Sequence, residues 1–158
     1  MTKYFDSISS EDKEILAEAF INITLLIASS DNKLTQKEID EAVNTIKVRG
    51  YEANSLFSEF YDQINLTFKD DLEKASHEHN IDKKELDYYT RKISRVNAIL
   101  ERLPTAVAKQ LIKDYKSFAH RIANSDGGIL GFAKISIEER NLINLPMIMP
   151  IMHDEEEE

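Results

Sequence analysis

Two pairs of acidic residues take matching places in two copies of one pattern, with six extra residues in the second loop. Ile27-Ala28-Ser29-Ser30-Asp31 is followed by Thr35 and Glu38. Ninety-five residues further on, Ile122-Ala123-Asn124-Ser125-Asp126 is followed by Ser136 and Glu139. Each copy puts an aspartate in a polar turn after an apolar segment, and a glutamate three residues after a hydroxyl. Hard cations of the Ca²⁺ or Mg²⁺ class need several oxygen donors at close range. Two such turns facing one another would supply Asp31, Glu38, Asp126 and Glu139, with Glu138 as a spare. The same residues also have a purely structural use. Asp31 and Asp126 can bond to their own backbone in Asx turns, while Glu38 and Glu139 reach back to cap their helices.

Other chemistry-bearing groups point less far. Asp31-Asn32-Lys33 opens like an EF-hand loop, but the third position is Lys33, the sixth is Gln36 rather than Gly and the twelfth is Ala42 rather than Glu, so that loop is excluded. His77-Glu78-His79, with Asp82 nearby, spaces its imidazoles two apart on a helix. That aims them at different faces and makes a poor chelate, so a solvated helix end is expected. His120 precedes Asp126 on the same helix, where a surface or capping role suffices. Gly127-Gly128-Ile129-Leu130-Gly131 lacks the Gly-Lys-[Ser/Thr] ending of a phosphate loop; its glycines suit backbone turns. Leu130 and Phe132 either tuck onto the core or offer a contact to a partner. No Ser/His/Asp, Cys/His or paired-acid arrangement with local support is visible, and no catalytic activity is expected.

The elements that position these residues are helical. Ser9 or Ser10, with acids in the next turn, starts a helix. It carries Ile15, Leu16, Ala19, Phe20, Ile23, Leu26 and Ile27 on one stripe, which Leu25 and Ala28 widen until most of the circumference is apolar. Residues 1–8 read as a loose lead-in. Thr35-x-x-Glu38 is a capping box that opens a second helix, and Gly50 suits its stop. Helical spacing continues from Glu52 to about Asn80, with a break expected at Asn65-Leu66-Thr67. Asp82-x-x-Glu85 starts a helix reaching about Arg102. Pro104 fits the first turn of the next, which ends in the second Ile-Ala-x-Ser-Asp. Ser136-x-x-Glu139 then opens a last helix through Leu142, Ile143 and Leu145.

The chain has 158 residues, 42% hydrophobic and 31% charged, with only four glycines and three prolines. That scarcity of turn formers favours long helices over many short strands. The expectation is one domain over residues 1–150 and an acidic, disordered tail over 151–158. Net charge is −9, and no basic stripe accompanies it, which argues against nucleic acid or an anionic membrane as partner. No leader pattern precedes the apolar run Ala19–Ala28, which is too short to span a bilayer, so no membrane insertion and a cytoplasmic location are expected. The two Asn-x-Thr matches, at Asn22 and Asn65, then carry no meaning as glycosylation sites.

A helix ending in Ala-x-x-Asp, a polar turn, and [Ser/Thr]-x-x-Glu opening the next helix resembles the signature of the tellurite-resistance TerB-like family. The stretch Asp126-Gly-Gly-Ile-Leu-Gly-Phe-Ala-Lys-Ile-Ser-Ile-Glu-Glu139 is similar to the glycine-containing loop and helix start of some members. The likeness covers roughly residues 10–150. It departs in the first turn, where Asn32 follows Asp31 in place of glycine; asparagine tolerates the left-handed conformation better than most residues. The resemblance implies an all-α bundle of about seven helices in two pseudo-symmetric halves. It also implies a divalent-metal site at the acidic turns and a link to stress responses to tellurite and other toxic agents. Two functions stand side by side: a non-enzymatic stress-response or signalling module with a metal-binding turn pair, and a metal-free protein-interaction scaffold of the same fold. Both imply a protein partner.

Overall fold

The longest apolar segment becomes the centre of the molecule. The computed structural model describes residues 5, 7–52, 57–125 and 141–151. Helix α1, Ser10–Ser30, starts at Ser9, whose hydroxyl accepts from the Asp12 amide at 3.0 Å while Asp12 accepts from the Ser9 amide. Every residue from Asn22 to Ser30 is buried. A helix with no exposed face must be surrounded, and α1 touches all the other helices.

These are α2 (Gln36–Glu52), α3 (Ser58–Glu78), α4 (Leu86–Ser94), α5 (Val96–Leu100) and α6 (Thr105–Ser125). A 3-10 turn at Lys83–Glu85 leads into α4, and another spans Leu142–Asn144. Among the described residues the fold is all-helical, a bundle without strands. Helix α3 packs mainly on α2, which also leans on α6, whereas α1 packs chiefly on α4 and α6.

Aromatic rings join the layers. Phe20 of α1 meets Tyr115 and Phe118 of α6 with centroids 4.8 and 5.0 Å apart, and Tyr61 of α3 at 5.7 Å. All four side chains are buried, and each contributes roughly 1.5–3 kcal/mol or more by leaving water. The buried Tyr115 hydroxyl donates to the Leu16 carbonyl at 2.7 Å. Burial pushes the Tyr115 phenol far above its usual range.

The relation between α1 and α6 follows from three contacts. Arg102, just ahead of α6, pairs with Asp12 in the first turn of α1 at 2.9 Å. Midway along, Tyr115 reaches Leu16 and Phe20; further along, Phe118 reaches Phe20. Contacts advance in the same direction on both helices, so α1 and α6 run roughly parallel. Each has 21 residues, and their starts, Ser10 and Thr105, carry the same ninety-five-residue offset as the sequence repeat. The C-terminal ends of α1 and α6 therefore lie toward the same end of the bundle.

Several expectations need correction. The lead-in is anchored at its described residues Phe5 and Ile8: Phe5 is fully buried, with its ring stacked on Phe60 at 5.3 Å, and Ile8 is buried too. Gly50 does not stop α2, which runs on to Glu52; a Cβ there would meet the Asp62 carboxylate of α3, so the glycine serves a close helix approach. Helix α3 passes unbroken through Asn65-Leu66-Thr67, because Ile64 and Phe68 on either side are both buried. The expected helix to Arg102 divides at Arg95, whose amide bonds three residues back to Lys92. Pro104 sits just before α6, its carbonyl accepting from Ala108 at 3.0 Å. The start expected at Ser136 lies outside the described residues; the last helix is seen only at Asn141, followed by a 3-10 turn at Leu142–Asn144 that a left-handed Leu145 closes at φ 52°. Beyond it, Asn97 clamps the chain, donating to the Met147 carbonyl and accepting from the Met149 amide, each at 2.8 Å.

Candidate functional site

The first acidic turn is built by the end of α1. The Asn32 amide bonds to the Ser29 carbonyl at 3.2 Å and the Lys33 amide to the Ala28 carbonyl at 3.1 Å, the paired closure of a Schellman motif. That motif needs a left-handed residue, and Asn32 supplies it at φ 60°. The Asn32 side chain also accepts from the Lys83 amide at 3.1 Å, so the 3-10 turn before α4 is tied onto the end of α1. Asp31 is exposed, and among the described residues no side chain bonds to its carboxylate.

Glu38 has a different environment. It is 6% exposed. Its Oε1 accepts from the Thr35 amide at 2.9 Å and the Thr35 hydroxyl at 3.2 Å, while the Glu38 amide donates to Thr35 Oγ1. The capping box is complete, and this carboxylate is committed to it. Asp126 and Glu139, with Glu138, the Ser136 capping box, Leu130 and Phe132, lie outside the described residues, as does most of the acidic tail. Among the described residues no three His, Cys, Asp or Glu side chains converge to hold a metal ion.

The two copies of the repeat share one local bond. Ser30 Oγ donates to the Ile27 carbonyl and Ser125 Oγ to the Ile122 carbonyl, both at 2.7 Å.

The histidines divide. His77 is exposed. His79 is partly buried rather than solvated: its ring stacks on Tyr88 at 3.7 Å, and Nε2 lies 2.6 Å from Glu85. His120 pairs with the Asn144 side chain at 2.9 Å. These are ties between segments. A further tie joins α2, α3 and α6: the Tyr61 hydroxyl donates to Asp114 at 2.6 Å, and Arg49 bonds to Ser117. Burial, reinforced by the Asp114 charge, raises the Tyr61 phenol well above its usual range. Tyr61 is only 1% exposed, and the group ties the three helices together.

A groove runs beside α1. Its first part, about 650 Å³, lies between α1 and α3 over Ala17, Ile21, Ile64 and Phe68. It continues past Glu18, Ile21 and Asp71 into a cleft of about 530 Å³ closed by α4, where Asn22, Lys74, His79, Tyr88 and Lys92 face the opening. Such volumes fall in the range of small-molecule clefts.

Asn22 stands out among the buried polar groups of α1. Thr24 satisfies its hydroxyl on the Phe20 carbonyl at 2.8 Å, and Ser30 does so on Ile27. Asn22, 9% exposed, has no side-chain hydrogen bond among the described residues. An amide that bonds to nothing in the protein is left to bond to whatever enters beside it. Ser29 Oγ is also unpartnered, but it is sealed off entirely, whereas the amide of Asn22 faces the cleft. Sequence reading noted Asn22 only as part of an Asn-x-Thr match; the usable signal was an amide interrupting the apolar run Ala19–Ala28.

No described helix is long and apolar enough to cross a membrane. No family model, no curated protein and no solved structure matches this chain.

Proposed function

We propose that the chain is a non-enzymatic, TerB-like stress-response or signalling module whose two acidic turns sit at one end of the bundle and take a divalent ion of the Ca²⁺ or Mg²⁺ class. The observation that carries this reading is the pairing of α1 with α6: equal lengths, parallel course, the repeat's own offset, and the same serine closure at each end. An internal duplication of this kind supports two related halves. Asp31, exposed and without a partner among the described residues, is the natural donor in the first copy, with Asp126 its counterpart in the second. Glu38 is a weaker donor, since one oxygen already accepts two bonds.

That same commitment of Glu38 favours a second reading, a metal-free interaction scaffold in which the turns are structural and the α1–α3 groove receives a protein partner. Calorimetric titration with Ca²⁺, Mg²⁺, Mn²⁺ and Zn²⁺ separates the two. The metal reading expects heat at about micromolar concentration, lost in Asp31→Asn with Asp126→Asn. Absence of heat from every ion leaves the scaffold.

A further inference from the structure

The structure assigns the cleft between α1, α3 and α4 as a binding site for a small amide-bearing zwitterion of dipeptide size, read by the Asn22 carboxamide. The site is separate from the acidic turns and stands without them.

Three observations carry this. The first is Asn22 itself. Asn22 is nine-tenths buried, makes no side-chain hydrogen bond among the described residues, and lines the cleft. A carboxamide offers a donor and an acceptor side by side, and its best complement is another amide, which can return both bonds. The other polar side chains in the buried half of α1 give no comparable opening: Thr24 and Ser30 bond to their own helix, and Ser29 is sealed.

The second is charge. Lys74 of α3, Lys92 of α4 and the carboxylate of Glu78 line the cleft, while Glu18 of α1 and Asp71 of α3 line the stretch it shares with the groove. Cations and anions thus flank the amide together. A ligand with one carboxylate and one ammonium group would satisfy both sets; a purely anionic or cationic one would leave one set facing a like charge.

The third is the apolar lining. Ile21 belongs to both the cleft and the groove, and Phe68 and Ile64 continue the surface. An aliphatic side chain next to the ligand's amide would lie there, with Tyr88 as the opposite wall.

The test uses the full chain, ¹⁵N-labelled, titrated with the dipeptide alanyl-leucine to about millimolar concentration. The expected result is movement of the Asn22 side-chain NH₂ signals together with the Ile21 and Lys92 amides. Asn22→Leu should weaken binding at least about tenfold, the loss of a bidentate amide pair. The same variant should melt no lower than the parent, since the amide it removes holds nothing in the protein and the replacement is apolar. Lys92→Gln, which sits at the rim, should weaken alanyl-leucine but not its amidated form, which lacks the carboxylate. The assignment is overturned by an absence of shifts in the cleft, by equal binding to Asn22→Leu, or by a large fall in melting temperature for that variant, which would make Asn22 structural.

Discussion

The ends of α1 and α6 carry nearly the same five residues and the same closing bond, yet they live in different surroundings. Around α1, Ile27, Ala28, Ser29 and Ser30 are all buried, and the 3-10 turn at Lys83–Glu85 is fastened over them through Asn32. At α6, Ile122 is buried, Ala123 and Ser125 are half-buried, and Asn124 is exposed. The identical serine bond shows that local sequence sets how each helix closes. The difference in burial shows that neighbours decide how much of the closure is visible to water. The same contrast runs along the helices: α1 is wrapped on every side past Asn22, while α6 buries Leu111, Tyr115, Phe118, Ala119 and Ile122 on one stripe and leaves the rest to solvent.

The comparison can be pressed by substitution, with stability read from urea denaturation. Ile122→Ala should cost the most, about 2–5 kcal/mol, because the side chain is fully buried and the parallel helices cannot collapse onto the void. Next comes a matched pair. Ala28→Leu, fully buried beneath its neighbours, should destabilise by about 1–3 kcal/mol through overpacking, whereas Ala123→Leu should change stability by no more than about 0.5 kcal/mol. Similar costs for both would erase the contrast in surroundings. Smaller effects separate adjacent serines. Ser30→Ala should lose about 1 kcal/mol with its hydrogen bond, while Ser29→Ala should be neutral or stabilising, because it removes an unsatisfied buried hydroxyl.

The cover over the α1 end also predicts a pH response. Tyr89 of α4 donates to the Asn80 carbonyl at 3.0 Å. Burial, with added repulsion from Tyr88, Glu85 and Asp82, pushes its phenol from 10.0 to about 12. The folded chain then holds a proton that the unfolded chain releases. Stability from this group is intact below pH 10 and falls as pH rises from 10 toward 12. Tyr89→Phe should flatten that decline in denaturation curves collected across the interval; an unchanged slope would remove Tyr89 as its source.

Much of this was readable from residue types. The Ser9 and Thr35 caps, the apolar wrap of α1, and the Ile-Ala-x-Ser closure all follow from local rules, and α1 and α2 begin where those rules place them. What escaped reading was tertiary. Gly50 looks like a helix stop until Asp62 of a neighbouring helix is set beside it. Asn65-Leu66-Thr67 looks weak until Ile64 and Phe68 are seen to be buried. Phe5 looks like part of a loose end until Phe60 stacks on it. Asn22 was legible as a polar interruption, but its want of a partner depends on which helices flank it, and no spacing along one chain reveals that.

The central claim is that the two copies end at the same end of the bundle. The chain contains no cysteine, so spin labels can be placed cleanly through Asp31→Cys and Asn124→Cys, both at exposed positions. Pulsed electron resonance should give a distance centred near ~20 Å, the spacing of adjacent parallel helix ends plus the label arms. A distance of ~35 Å or more, a full helix length apart, would contradict it.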